Sequence, residues 1–540
     1  MKEALRQSEA DPLEGLLLGS PFLVGLFFPW GSALAVLFLT VLLAAELKKG
    51  KILIAKGPLL PACCSLVLFL LGGCLWGTDR GMALLGALQF LPLPLFVLAL
   101  EQREPAARLQ LTAHMPAAAA VMVLLSLLLS CIPAWKDWFL VNGRLAGFFQ
   151  YPNSFALYLL TALIVLLHFG PYPQKEKALL SVILCGGIIL SGSRTAGALL
   201  ISVMIISGCR AETRRSRRNC LLAALLILAT GLYLVFAGSR SLSTFYGRLL
   251  YARDALPVIL HHPLGLGYNG FYWLQGSFQT GVYSVRHVHN EFLQLLLDAG
   301  WFPAALFLWA LIRSFRAKDG HFGRKLMMAV ICLHSLFDFD MQFTALAFLL
   351  LTAADTEPGV PYRVTGRLSA GIAALTILFS LWLGTASFLL YTKRPQAALK
   401  LYPAYTAALL DLLPETENNR AEAAADRILR LNSSAAPAWD VKAKATFQRQ
   451  ADEEALAAKE EALRLSPYNL REYQEYLALL DQIRLRRLSR GDAAGAARCR
   501  AKAEEVPALI KSAEERITSL GRRIQDQPNL DISLLHIGSA

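Results

Sequence analysis

Apolar runs recur from about residue 13 to residue 392 and then stop, and no other feature constrains this chain as strongly. A run of about 20 apolar residues crosses a bilayer as a helix, because in hydrocarbon the backbone must satisfy its own hydrogen bonds. The runs lie at roughly 13–30, 31–47, 58–77, 81–100, 111–133, 147–169, 177–193, 194–209, 219–237, 290–312, 325–341, 343–356 and 366–392, about twelve or thirteen spans. With 55% hydrophobic side chains and a mean hydropathy of +0.44, the chain reads as all-α, a polytopic membrane helical bundle over residues 1–393. Only Lys2 and Arg6 precede the first run and no small-residue cleavage site follows, so the first helix is expected to stay uncleaved.

The formal net charge of +13 is distributed in short loops, which the positive-inside rule explains and which argues against a nucleic-acid partner. Lys48, Lys49, Lys51 and Lys56 form one cluster, Arg210, Arg214, Arg215, Arg217 and Arg218 a second, and Arg313, Arg316, Lys318, Arg324 and Lys325 a third. Alternating spans put all three on the cytoplasmic side. The opposite side then receives residues 134–146, the turn Ser191–Arg194, a large extracytoplasmic loop at 238–289 and everything after Lys393. That loop carries Arg240, Arg248, Arg253 and Arg286 against Asp254 alone, an unusual balance for an exported segment. Eight of the nine cysteines sit in or beside apolar runs without a Cys-x-x-Cys pair, so neither a disulfide framework nor a metal site is expected.

From residue 394 to 540 the composition turns to Ala, Glu, Arg, Lys and Leu at amphipathic helical spacing, the pattern of a soluble α-helical domain. The segments beginning at Leu431 (LNSSAAPAW) and Leu465 (LSPYNLREY) stand 34 residues apart, each after an Ala/Glu/Arg-rich stretch. This period, with helix starts expected at Pro437 and Pro467, resembles tetratricopeptide repeats; a plain helical bundle is the alternative. Repeat grooves bind peptides or proteins, which makes this domain a candidate for holding a protein partner that the sequence does not identify.

Ionisable groups at a membrane helix end are costly to keep unless they work. His289 and Asn290 stand at the mouth of the apolar stretch that runs to Pro303, after the arginine-bearing loop, which points to a site for an anionic substrate. The imidazole titrates near neutral pH and suits proton abstraction from a hydroxyl. Asn290 follows as a polar positioner, and capping the helix is the alternative for the pair. Asp338 and Asp340, acids in an apolar hairpin, need a partner; they pair with a site arginine or hold the fold together.

These residues fall in motifs similar to those of the O-antigen ligase and polymerase superfamily. His289, Asn290, nine residues and Gly300 follow the ligase pattern, but Pro303 stands where the pattern ends in a Gly, Thr or Tyr type of residue, so the superfamily is matched more closely than the ligase branch. GRLAGFFQYPNSFA supplies Gly143, Arg144, Gly147, Pro152 and Asn153, SGSRTAG supplies Arg194, and GRLLYARDALPVILHHPLGLGYNGF leads to Pro263, Gly265 and Gly267. HSLFDFD, from His334 to Asp340, resembles the late His-Ser-x-x-Asp segment.

The resemblance implies a GT-C-like bundle that moves a glycan from a polyprenyl (undecaprenyl) diphosphate donor to a glycan, lipid, protein or wall acceptor, at the outer face of a bacterial cytoplasmic membrane. Guanidinium groups bind phosphate oxygens in pairs and neutralise the leaving diphosphate. Arg194 and Arg248, then Arg144 and Arg253, are the expected diphosphate ligands, with His289 and Asn290 catalytic. Such arginines supply the charge a divalent ion otherwise brings, so no metal or other cofactor is expected. A flippase for lipid-linked saccharides and a membrane-anchored repeat scaffold are the alternative functions.

Overall fold

The computed structural model describes residues 11–531 except 49, 212, 215–216, 223, 226–227, 229–241, 319–320, 356, 365, 416–417, 525 and 528–529. Arg215, Arg240 and most of the expected span at 219–237 lie outside the described residues.

The protein is an all-α membrane bundle continued by further helices. Five described helices are long and apolar enough to cross a bilayer: Pro29–Leu47, Leu59–Trp76, Arg80–Glu101, Pro105–Ser130 and Gly366–Tyr391. Pro152–His168, Arg194–Cys209 and Thr344–Ala354 are apolar but shorter. Pro152–His168 runs through the middle of the bundle, with every residue from Pro152 to Leu166 buried. Past Asn153 and Ser154 that stretch is apolar on every face apart from Thr161, which bonds its own helix at Leu157 O, and a helix packed on all sides requires that.

Contacts define two ends of the bundle. At one, strand Lys51–Ala55 pairs antiparallel with Gly359–Arg363. Arg313 Nε lies 2.6 Å from Glu357 there, and the Arg210 guanidinium sits 3.9 Å over the Phe322 ring. The three basic clusters therefore meet at this end. Arg108, wholly buried, is held there by Asp355 at 2.9 Å and by the Leu100 carbonyl at 3.0 Å. At the other end Trp76 Nε1 donates to Leu264 O, Arg144 Nε donates to Ser191 O, and the Phe28 and Tyr391 rings lie 4.9 Å apart.

Several expected spans are interrupted. The run at 13–30 is a helix Pro12–Gly19 followed by two short 3-10 turns, with Val24, Gly25 and Leu26 all at positive φ. The run at 290–312 is two helices, Glu291–Ala299 and Trp301–Arg316, broken at Gly300. Gly300 has φ +82° and Gly265 has φ +80°, and the two backbones touch: a Cβ on Gly300 would lie 2.3 Å from Pro263 O, and one on Gly265 2.7 Å from Gly300 N. Only glycine permits both that φ and that approach. Leu266 N and Gly267 N donate to Leu297 O and Asp298 O, and Trp301 N to Pro263 O, so the PLGLG segment is laced onto the broken helix. The described part of the loop, residues 242–289, is accordingly an ordered layer, with helices Ser243–His261 and Gly270–Phe278.

Gly366–Tyr391 ends at a turn through Lys393 (φ +61°), and helix Pro395–Leu401 follows. Ala398, Tyr402, Tyr405 and Ala408 pack with Val36, Leu88, Leu383 and Ala386 in one apolar cluster, so the start of the C-terminal region grips the bundle. Helices Asn418–Leu431 and Asp452–Leu465 end 34 residues apart, and Ala436–Gln448 and Leu470–Ser489 start 34 residues apart. Pro437 lies in the first turn of its helix, as expected, but Pro467 stands in the turn ahead of the Asn469 cap. Asp440, Glu472 and Glu475 converge in this region, and the Lys459 ammonium fills the space between them, 2.6 Å from Asp440 and 2.9 Å from Glu475. These acids raise the Lys459 pKa despite its burial, so the cluster is a closed ionic clasp.

Candidate functional site

The first residues of the central helix carry Tyr151, Asn153 and Ser154 to the end of the bundle away from the basic clusters, where the turn between Phe322–Ser335 and Thr344–Ala354 brings two carboxylates to meet them. A helix N-terminus favours negative charge, which suits this placement.

Asp340 is the structural one. Its carboxylate accepts from Ser154 Oγ at 2.8 Å and Ser335 Oγ at 3.1 Å and lies 2.7 Å from His334 Nδ1, with both acid and imidazole wholly buried. Glu291 ties the same turn from the other side, accepting from Met341 N and Gln342 Nε2.

Asp338 is the hub of the site. Tyr151 OH donates to its Oδ1 at 2.7 Å and Asn153 Nδ2 to its Oδ2 at 2.6 Å. Arg248 donates to Oδ2 at 3.1 Å, and His289 Nδ1 stands 3.2 Å from Oδ1. The Asp338 side chain is 1% exposed, whereas His289 and Arg248 remain 22% and 23% exposed. The acid is thus a buried base plate on which an imidazole and a guanidinium sit side by side, each with a face still open. With Nδ1 turned to the carboxylate, the Nε2 atom of His289 is left for a substrate.

Backbone geometry sets this pose. His289 adopts φ +52°, a conformation that costs a non-glycine residue about 1 kcal/mol or more, immediately before the helix that Asn290 caps. Asn290 Oδ1 accepts from Leu293 N at 3.1 Å and its Nδ2 donates to Leu336 O at 3.0 Å. Asn290 therefore serves as a cap and a tie to the Asp338 turn, and that positions its neighbour. The helix it starts, Glu291–Ala299, has nine residues and buries Glu291, Gln294 and Asp298.

The remaining arginines are distributed around the hub. Arg144 joins the Ser191 carbonyl and Asn153 Oδ1, so it touches the hub through Asn153. Arg194, at the start of helix Arg194–Cys209, donates to Thr244 Oγ1 and connects that helix to the one carrying Arg248. Arg253 lies exposed on Ser243–His261, five residues past Arg248 and on another face, so the structure does not bring it to the hub. In the sequence Tyr151 is an unassigned position within the GRLAGFFQYPNSFA motif, and Asp338 stands as the acid of the late His-Ser-x-x-Asp segment and one of two acids needing partners, without a place at the site. The signal for Tyr151 was its place directly before Pro152 and Asn153.

Asp254, the acid of the outer layer, accepts from Thr280 N, Thr280 Oγ1 and Tyr283 OH at 2.7 to 2.9 Å. Thr280 O in turn accepts from Thr518 N of the C-terminal region at 3.0 Å. The layer that holds Arg248 is thereby fixed on both sides.

Neither a curated protein nor a solved structure matches the chain. A family model described as O-Antigen ligase matches residues 179–308, a segment that includes Arg194, Arg248, His289 and Asn290 and stops short of Asp338. That match, on the segment that supplies the histidine and two of the arginines around the hub, supports a glycosyltransferase-type role and the resemblance to the O-antigen ligase/polymerase superfamily.

Proposed function

We propose that this protein transfers a glycan from a polyprenyl diphosphate carrier to an acceptor hydroxyl, with the reacting bond held over Asp338. The observation that carries the reading is the shared carboxylate: one buried acid fixes His289 and Arg248 side by side, both partly exposed.

In this reading His289 donates Nδ1–H to Asp338, and Nε2 accepts the proton of the acceptor hydroxyl as its oxygen attacks the anomeric carbon. Asp338 fixes the tautomer and stabilises the imidazolium that forms. The bond from the anomeric carbon to the diphosphate oxygen breaks, and its electron pair leaves with the diphosphate. Arg248 uses one nitrogen on Asp338 and offers the rest of its fork to the phosphates, with Arg194 and Arg144 adding charge nearby. Arginine suffices for this charge neutralisation, so the proposed mechanism does not require a metal. Asn290 positions the turn through its cap.

The same reading puts the hub, the outer layer and the C-terminal helices on the extracytoplasmic side of a bacterial cytoplasmic membrane, opposite the basic end. It treats the 34-residue helical period after residue 394 as tetratricopeptide-like, with a protein or acceptor partner.

Purified His289→Ala tests the mechanism. Transfer is expected to fall about 10²- to 10⁴-fold, with binding of a polyprenyl diphosphate donor retained, in the presence of chelator as in its absence. Transfer at the wild-type rate would remove His289 from the chemistry, and wild-type activity abolished by chelator would overturn the metal-free step.

A further inference from the structure

Two cavities lie between the outer layer and the C-terminal helices, and neither takes part in the chemistry described above. The inner one, about 620 Å³, has Arg286, His287 and Asn269 on one wall and Lys393 and Tyr405 on the other. The outer one, about 570 Å³, lies between Tyr283 and Ser284 of the outer layer and Tyr468 and Asn469 of the C-terminal helices. Tyr272, Trp273 and Leu410 line both, so the two spaces abut along one aromatic wall.

The inner cavity begins beside the hub. The His287 ring is 4.9 Å from that of Phe339, which is 5.1 Å from that of His289 and directly follows Asp338 in the chain. One aromatic ring thus separates the cavity wall from the proposed base. Two polar groups in that wall are left without protein partners: His287 Nδ1 and Asn269 Oδ1 are buried and make no hydrogen bond, in residues only 6% and 8% exposed. Buried polar atoms are ordinarily satisfied, so two orphans beside the cavity are exceptions that call for an explanation.

Lining chemistry identifies the class of occupant. The aromatic residues Tyr272, Trp273, Tyr405 and Tyr468 line the cavities together with hydrogen-bonding side chains such as Asn469 and Ser284. A pyranose has an apolar C–H face and a rim of hydroxyls, so it stacks on an aromatic ring while its edge bonds to polar groups. A helical peptide needs a continuous apolar stripe instead, and this wall is interrupted by Gln275 and Gln279.

We propose that the two cavities form one saccharide-binding groove, built jointly by the outer layer and the C-terminal helices, which leads a glycan chain to His289. The inference deepens the transferase reading by giving the C-terminal region a role in holding substrate. Donor and acceptor glycans share the required chemistry, and the test separates them.

The full-length protein with p-benzoylphenylalanine in place of Ser284 is irradiated in its host cells. A periodate-stained glycan adduct is expected there, reduced several-fold by Trp273→Ala and absent with the crosslinker in place of the exposed Leu485. If the Ser284 protein does not accumulate, the same experiment at Leu410 decides. Mild acid cleaves a sugar diphosphate bond, so an adduct that sheds a polyprenyl lipid identifies the donor chain, and one unchanged in mass identifies the acceptor. A protein adduct, equal yields at Ser284 and Leu485, or no glycan adduct at either groove position would overturn the groove. In the His289→Ala background the adduct is expected to persist. Loss of the transferase reading, seen as full activity of that variant, is therefore distinguishable from loss of the groove.

Discussion

His289 Nδ1 stands 3.2 Å from Oδ1 of Asp338, a residue 49 positions further along the chain, so the imidazole is oriented by an acid beyond residues 179–308, the segment that the O-Antigen ligase family model matches. The neighbouring acid, Asp340, makes an equally buried pair with His334 and has no exposed partner. Two carboxylates two residues apart thus have separable tasks.

That separation is testable by paired substitution. Asp338→Asn keeps the volume and part of the hydrogen bonding but removes the charge that fixes the His289 tautomer, so transfer is expected to fall about 10²- to 10⁴-fold. Asp340→Asn breaks a wholly buried pair and is expected to cost about 3–5 kcal/mol of stability. Thermal unfolding in detergent and transfer measured on the surviving folded protein check both, and equal effects of the two variants on unfolding and transfer would count against the division.

Arg248→Lys retains a cation but loses the planar fork that reaches Asp338 and a phosphate together. The loss of one charge-assisted hydrogen bond, about 1.5–3 kcal/mol, corresponds to about a 10- to 100-fold weaker donor interaction. Arg253→Lys, on the exposed face away from the hub, is expected to change it less than about threefold, because it keeps the charge at a solvent-screened position. Titration of a polyprenyl diphosphate into each purified variant decides the matter.

Docking of the C-terminal helices should respond to pH through Asp79. This acid, beyond the end of Leu59–Trp76, accepts from Thr406 Oγ1 at 2.7 Å and from Asn432 Nδ2 at 3.3 Å. Burial pushes its pKa up from 3.8 to about 6, although those hydrogen bonds pull the other way. A raised carboxyl pKa favours the docked form when protonated: that stabilisation is full below about 3.8 and is lost as pH rises through about 6. Hydrogen exchange over residues 406–432, corrected for intrinsic rates, should slow between pH 7 and pH 5. Asp79→Asn should flatten that dependence.

Truncation after Arg394 is expected to leave the bundle inserted, because the large core around the central helix is built from residues before 365. It would uncover Val36, Leu88 and Leu383, now covered by Ala398 and Tyr402. The truncated protein should therefore melt several degrees lower in detergent while still fractionating with membranes, and failure to insert would contradict the expectation.

The sequence by itself determined the helices and the grouping of the basic loops at one end, because apolar run length and charge placement are local properties. It also exposed the Asn290 cap and the 34-residue period, since both are short-range patterns. The breaks in the expected spans were decided by tertiary contact: Gly300 ends a helix because the Gly265 backbone lies against it, an approach no hydropathy window records. The hub was decided in the same way. Asp338 meets Tyr151, Asn153 and Arg248 from 187, 185 and 90 residues away, so its choice of partners depends on how the helices pack. Arg253, close to Arg248 in sequence, is excluded because helical geometry turns it to a different face.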